Sequence, residues 1–215
     1  MSSGGPGADR AQRAARALEL GAATIGESGG RNLHPRLHAI WPGARLAGPA
    51  FTARCGAGDN LAVHLAVTLA PAGSILVVDA QAVPALGYWG EVLTTAAIAR
   101  GLAGLVIDGG VRDVAALERR GFPVFATTVA LTGARKAAGG SVELPVTAGG
   151  VEISPGDWIV GDRDGVTAVA HAAWARVLDA AAARAAREEE LFRALSAGAT
   201  TLELLGLDPS PVQRP

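Results

Sequence analysis

Apolar positions follow two periods along this chain, and the change between them divides it. From Ala8 to Leu20, Ala11, Ala14, Ala15 and Leu18 share one helical face, arginines occupy the other, and Gly21 stops the pattern. Residues 45–55 read as a strand. Leu61, His64, Leu65 and Thr68 then fall at helical spacing after GAGDN, with Asp59 or Asn60 available as cap. SILVVDA (74–80) is continuously apolar, which suits a strand buried on both faces. QAVPALGYWG reads as a loop, 89–100 as a helix stopped by Gly101, and GLVID (104–108) as a second buried strand. A Gly-Gly turn follows, then a helix over 113–120 and a strand at PVFA (123–126). Strand, helix, strand, helix, strand is a βαβαβ unit with parallel pairing.

After Lys136 the period shortens to two. SVELPVTAGGVEISPGDWIVGDRDGVTAVA alternates apolar and polar residues between Gly and Pro turns, as hairpins do, and GDRDG is one such turn. An Ala-rich helix runs from His171 to Ala197. The fold class is therefore α/β, a compact βαβαβ core with additional mixed or antiparallel strands and a C-terminal helix. Residues 1–7 are expected to be a flexible N-terminus, 8–206 a single domain including that helix, and 207–215 a flexible tail.

Composition narrows the chemistry. A net charge of −1 gives no electrostatic case for nucleic acid. The residues after Met1 form no signal peptide, and no run is long and apolar enough for a membrane span, so a cytoplasmic protein is expected. The one cysteine, Cys55, excludes an intrachain disulfide. The one lysine, Lys136, lies in a Gly- and Ala-rich stretch that looks exposed, which does not suit a Schiff-base nucleophile. His34 and His38 flank Pro35 with no carboxylate nearby and read as surface residues, His64 as a core histidine, and Glu27 as solvent-facing. Acidic residues and arginine remain.

They converge at the end of the second buried strand. Asp108, Gly109, Gly110, Arg112 and Asp113 follow a strand's carboxyl end, where open α/β sheets bind ligands. Asp113 opens a helix and could simply cap it; Arg112 could simply form a surface ion pair. The chemical alternative is richer. A carboxylate with water suits Mg²⁺, Arg112 offers a planar fork to carboxylate or enolate oxygens, and the helix start at Trp89–Gly90–Glu91 has free amides for an anion. That set would stabilise the enolate of a 2-keto-acid.

These residues carry a resemblance. GDNLAVH (58–64), WGEVLTTAAIARGLAGLVIDGGVRD (89–113), GFPVFA (121–126) and PVTAGGVEISPGDWIVGDRDGV (145–166) resemble the family joining the regulator of ribonuclease activity A to the 4-hydroxy-4-methyl-2-oxoglutarate / 4-carboxy-4-hydroxy-2-oxoadipate aldolases. The likeness runs from about Thr24 to Leu195. The family's acidic-x20-Arg-Asp motif falls on Glu91, Arg112 and Asp113; some members carry Asp where this chain has Glu91. Family aldolases often have an acidic residue where this chain has Ala116.

The resemblance implies a swivelling, phosphohistidine-domain-like fold and a homotrimer or dimer of trimers with sites between subunits. It implies Mg²⁺ or Mn²⁺ on Asp113, with Glu91 acting through a water, and Arg112 on the substrate's oxygens. Gly90, Val92 and Leu93 would form the carboxylate site. A neighbour's C-terminal helix would supply an acid matched by Glu188, with Glu189 next. The implied reaction is metal-dependent cleavage of a 4-hydroxy-2-keto-acid to pyruvate, with oxaloacetate decarboxylation alongside. The other branch of the family implies a non-catalytic ribonuclease regulator. A methyltransferase label also occurs in the family, but no glycine-rich cofactor loop supports it.

Overall fold

The computed structural model describes residues 6–81 and 85–213. Helices α1 (Pro6–Leu20) and α2 (Ala22–Glu27) are separated by Gly21 at φ 82°, a left-handed position that suits glycine. Short strands β1 (Arg31–Asn32) and β2 (His38–Ala39) precede the long β3 (Leu46–Cys55). Next come α3 (Leu61–Leu69), β4 (Ile75–Asp79), β5 (Gly87–Trp89), α4 (Glu91–Ala99), β6 (Gly104–Val111), α5 (Val114–Arg119) and β7 (Val124–Val129). The second half holds β8 (Gly140–Val142), β9 (Val146–Ala148), β10 (Val151–Ile153), β11 (Trp158–Asp162) and β12 (Gly165–Val169). A 3₁₀ turn (His171–Ala173), α6 (Trp174–Ser196) and α7 (Thr201–Leu205) close the described chain.

The main sheet runs β1-β12-β11-β3-β4-β6-β7-β2, with β5 added on β6 and β8 on β3. Strands β3, β4, β6 and β7 are parallel, as the βαβαβ pattern requires, and β11, β12, β1 and β2 join antiparallel. The apolar run of β4 splits between two cores. Leu76 and Val78 pack with Val63, Leu93 and Leu117 beneath α3, α4 and α5. Ile75 and Val77 face a second core with Val106, Phe125, Ile159 and Val166, contributed from both ends of the curled sheet. A third cluster seats α2 and α6 through Ile25, Trp158, Trp174 and Val177.

Three expectations near the motif need correction. Residues 87–89 lie within the expected loop but form β5, paired parallel with β6, so α4 begins at Glu91 and not Trp89; residues 82–84 of that loop lie outside the described residues. Gly109 and Gly110 do not make a turn. They continue β6 as far as Val111, across a register shift in its pairing with β7. A Cβ at Gly109 would come within 2.6 Å of the Ala80 Cβ, so the close approach the glycines permit is strand to strand. Asp108 is therefore mid-strand. It binds Arg36 through Nε (3.1 Å) and Nη2 (2.6 Å) and accepts the Gly149 amide at 2.8 Å, away from Arg112.

Smaller differences occur at the ends. α1 starts at Pro6, two residues before the expected helix, while residues 1–5 and 214–215 lie outside the described residues. Residues 22–27, unassigned from sequence, form a helix because Asp162 at the end of β11 accepts the Ala22 amide at 2.8 Å. α7 is defined by a capping box between Thr200 and Glu203, with Gly206 at φ 61° ending it.

Candidate functional site

Arg112 leaves the end of β6, and its backbone amide donates to the Trp89 carbonyl at 2.9 Å. Its side chain runs between three glycines. A Cβ at Gly87 would lie 3.3 Å from Arg112 Cδ, one at Gly90 3.1 Å from Cγ, and one at Gly133 3.0 Å from Nη1. Any side chain at these positions would crowd the arginine, so the glycines leave it one channel. Among the described residues no side chain hydrogen-bonds the guanidinium, and the nearest carboxylate oxygen, Asp113 Oδ2, is 4.0 Å from Nε. The fork is left available for a ligand.

Asp113 follows in the left-handed region, at φ 58° and ψ 33°, which Asp tolerates better than most residues. It occupies the N-cap position of α5, yet its side chain makes no bond to that helix. Oδ2 instead accepts the backbone amide of Glu91 at 2.9 Å. The capping role read from sequence is thus transferred to α4, whose own N-cap residue, Gly90, has no side chain to offer.

The amides of Val92 and Leu93 follow in the first turn of α4, unpaired within the helix and at its positive end. Trp89 holds the turn from below: its Nε1 donates to Thr94 Oγ1 at 2.6 Å, and its ring stacks on Phe122 at 5.9 Å and 12°.

A cavity of about 130 Å³ opens over these groups, lined by Gly90, Val92, Leu93, Arg112 and Asp113 on one side. Asn60, His64 and Lys136, which the motif did not point to, form a further part of its wall. His64 is therefore not simply a core residue. Its Nε2 and Asn60 Oδ1 are buried and unpaired, while Asn60 Nδ2 donates to the Tyr88 carbonyl at 2.8 Å. Burial and the Lys136 ammonium lower the His64 pKa against the raising effect of Asp59, which favours neutral imidazole. Lys136 is exposed, as expected, but its place on the cavity wall gives an anion a second cation beside Arg112.

Asp59 fixes that wall. Fully buried, it accepts the amides of Leu61 (2.8 Å), Ala137 (2.6 Å) and Ala138 (2.9 Å), tying the start of α3 to the strap that carries Lys136. Burial acts to raise its pKa; the amides of Ala138, Ala137 and Leu61, with Arg135, outweigh it and hold the carboxyl below its ordinary value. The sequence signal for this wall was the GDN turn itself, read there only as a helix cap.

Two predicted residues stand apart. The Glu91 carboxylate does not line the cavity; Oε1 accepts Arg120 Nε and Nη2 at 3.0 and 2.9 Å. Glu188 lies on α6 and pairs with Arg184 Nε at 2.8 Å, and its neighbour Glu189 is exposed on the same helix. Neither lines the cavity within one chain. Ala116 is buried in α5 and brings no carboxylate.

Among the described residues no three His, Cys, Asp or Glu side chains gather as a metal cage. A hard cation that takes one or two carboxylates and keeps its waters fits this donor set, because Asp113 commits only Oδ2 to Glu91.

Residues 19–168 match the family described as RraA-like, Aldolase/RraA. The chain belongs to this RraA-like family. The match ends before α6, so the helix bearing Glu188 lies beyond it. A relative from Halalkalibacterium halodurans, provisionally named 4-hydroxy-4-methyl-2-oxoglutarate aldolase, is 37% identical over 152 residues, 71% of this chain and 72% of that protein. Among solved structures, an uncharacterised protein from Pseudomonas syringae superposes with a TM-score of 0.80 at 26% identity, covering 92% of this chain and 98% of the other. The RNA-processing inhibitor RraA from Thermus thermophilis gives 0.64 at 27% identity, covering 69% and 91%. The RraA-like fold expected from the motifs is the one observed. Among the described residues no helix is long and apolar enough to cross a membrane.

Proposed function

We propose that this RraA-like protein is a divalent-metal-dependent, pyruvate-releasing aldolase. Its substrate is a 4-hydroxy-2-keto-acid of the 4-hydroxy-4-methyl-2-oxoglutarate or 4-carboxy-4-hydroxy-2-oxoadipate type, and it also decarboxylates oxaloacetate. The observation that carries this reading is the uncommitted Arg112 fork, sleeved by glycines and set beside Asp113 and the first turn of α4. Mg²⁺ or Mn²⁺ held by Asp113 would supply Lewis-acid polarisation of the keto-acid, while the Glu91 carboxylate, paired with Arg120, stands outside the cavity.

The chain's own residues do the rest. The amides of Val92 and Leu93, behind Gly90, receive the substrate carboxylate, and Arg112 binds the C2 oxygen. A water polarised by acidic residues takes the proton from the 4-hydroxyl. The C3–C4 bond breaks, its electron pair passes to C3, and negative charge develops on the C2 oxygen against Arg112. Protonation at C3 releases pyruvate, while the 4-oxygen leaves as the carbonyl of the second product. Oxaloacetate places a carboxylate where the 4-carbon stood, so loss of CO₂ generates the same charge at the same oxygen.

Glu188 belongs to this proposal as an acid donated by a neighbouring subunit in a homotrimer or dimer of trimers, with cytoplasmic location and neither nucleic acid nor membrane as partner. The likeness to the Thermus inhibitor supports a second reading, a non-catalytic ribonuclease regulator acting by protein binding. A docking surface has no use for a sleeved arginine that, among the described residues, makes no side-chain hydrogen bond, which favours catalysis.

Pyruvate release from oxaloacetate and from several 4-hydroxy-2-keto-acids tests the proposal. Activity should require Mg²⁺ or Mn²⁺ and fall by about 10²–10³ in Arg112→Ala, with comparable loss in Asp113→Ala. Full activity in EDTA, or in both variants, overturns it.

A further inference from the structure

Glu91, the first residue of α4, is held at both ends by the two ends of α5. Its amide donates to Asp113, immediately before α5, and its carboxylate accepts two N–H groups of Arg120, immediately after α5. Four residues before Arg120, where a helix would present a competing acid, stands Ala116. The consequence is local. A half-exposed ion pair adds little to global stability, with side chains here 39% and 42% exposed. An anion held by backbone amides, however, depends on the direction of the helix's first turn. Gly90 gives that turn no side-chain cap.

We propose that Arg120 is a positioning residue for the carboxylate site formed by the Val92 and Leu93 amides, acting through Glu91. Drawing the Glu91 side chain out of the cavity leaves Gly90, Val92 and Leu93 as the walls a carboxylate meets, and pins the turn against α5. The inference rests on the keto-acid reading of the site, yet it concerns a residue that touches neither substrate nor metal.

The test uses Arg120→Gln, Arg120→Lys, Glu91→Gln and the double variant Arg120→Gln/Glu91→Gln of the full chain. Two readouts are taken: steady-state kinetics with oxaloacetate and Mg²⁺, and exchange of the Glu91 amide by NMR in metal-free protein. Arg120→Gln should raise KM about fivefold while kcat stays within about twofold, and Arg120→Lys should recover most of the loss. Arg120→Gln should add nothing in the Glu91→Gln background. The Glu91 amide should exchange faster in Arg120→Gln with core amides unchanged. A wild-type KM in Arg120→Gln, or fully additive losses in the double variant, overturns the proposal. Should wild-type protein release no pyruvate from any keto-acid, the functional reading fails and amide exchange decides this one: unchanged Glu91 protection in Arg120→Gln overturns it.

Discussion

The Asp113 carboxylate caps a helix that begins 22 residues earlier in the chain, accepting the Glu91 amide through Oδ2 at 2.9 Å. One side chain thereby fixes the first turn of α4 while committing only one of its two oxygens. The two roles separate chemically. Asp113→Asn keeps an acceptor for the Glu91 amide and tolerates φ 58°, but loses the charge. Its melting temperature should stay near wild type while Mn²⁺ binding and pyruvate release disappear. Asp113→Ala loses the cap and strains the left-handed position, so it should be destabilised by a further 1–2 kcal/mol or about that. Thermal unfolding with Mn²⁺ titration checks both.

The glycine sleeve makes a second prediction. In Gly90→Ala the new methyl would lie 2.5 Å from Asp113 Oδ2 and 3.1 Å from Arg112 Cγ. Both motif residues must shift, so kcat/KM should fall by about 10² with the fold retained. Gly133→Ala meets only the far end of the Arg112 side chain, at 3.0 Å, and should raise KM with a smaller loss. Kinetics with circular dichroism would check the pair; a wild-type kcat/KM in Gly90→Ala would remove the case for the sleeve.

Asp59 gives the chain an acid-sensitive clamp. Its folded pKa lies below the ordinary carboxylate value, so its stabilisation is fully present above that value and is lost as pH falls through the folded pKa. Asp59→Asn should lower the melting temperature at pH 7 by several degrees and flatten its acid-side decline. It should also weaken substrate binding, since the Lys136 strap loses its charged anchor at Ala137 and Ala138. Melting curves across pH 3–7 or so, together with KM at pH 7, measure the two effects.

The C-terminal helix is fastened by its first third. Trp174 stacks on Trp158 at 4.2 Å and 5°, and the buried residues of α6 end at Ala181. Trp174→Ala should cost about 3–5 kcal/mol, read as a lower denaturation midpoint. Proteolysis should then release the segment beyond Ala181 more readily than in wild type, while cleavage within β3 to β7 stays slow.

Local pattern carried much of the architecture. The unbroken apolar run of β4 encoded a strand covered on both faces, and its residues do divide between the α3–α5 core and the interior of the curled sheet. The helix period from Leu61 and the hairpin turn at Arg163–Asp164 needed no more than their own sequence. The motif likewise pointed to the family, because the spacing of Glu91, Arg112 and Asp113 is read directly from the sequence.

Pattern did not reveal what the side chains choose as partners. Gly109–Gly110 reads as a turn until Gly110 is seen pairing with Gly87 and Thr128 in a strand; the β5 and β7 neighbours that make it a strand lie about 20 residues away in either direction. Burial alternation states which face of an element is covered, since it reflects each residue's own transfer from water. A hydrogen bond between distant residues depends on the register in which strands pair and on where chain reversals set each helix end. Hence the chain alone determined a parallel α/β core and a charged Arg112–Asp113 end. Only the tertiary structure decided that Asp113 caps α4, that Arg120 takes Glu91, and that Asn60, His64 and Lys136 line the same cavity as Arg112.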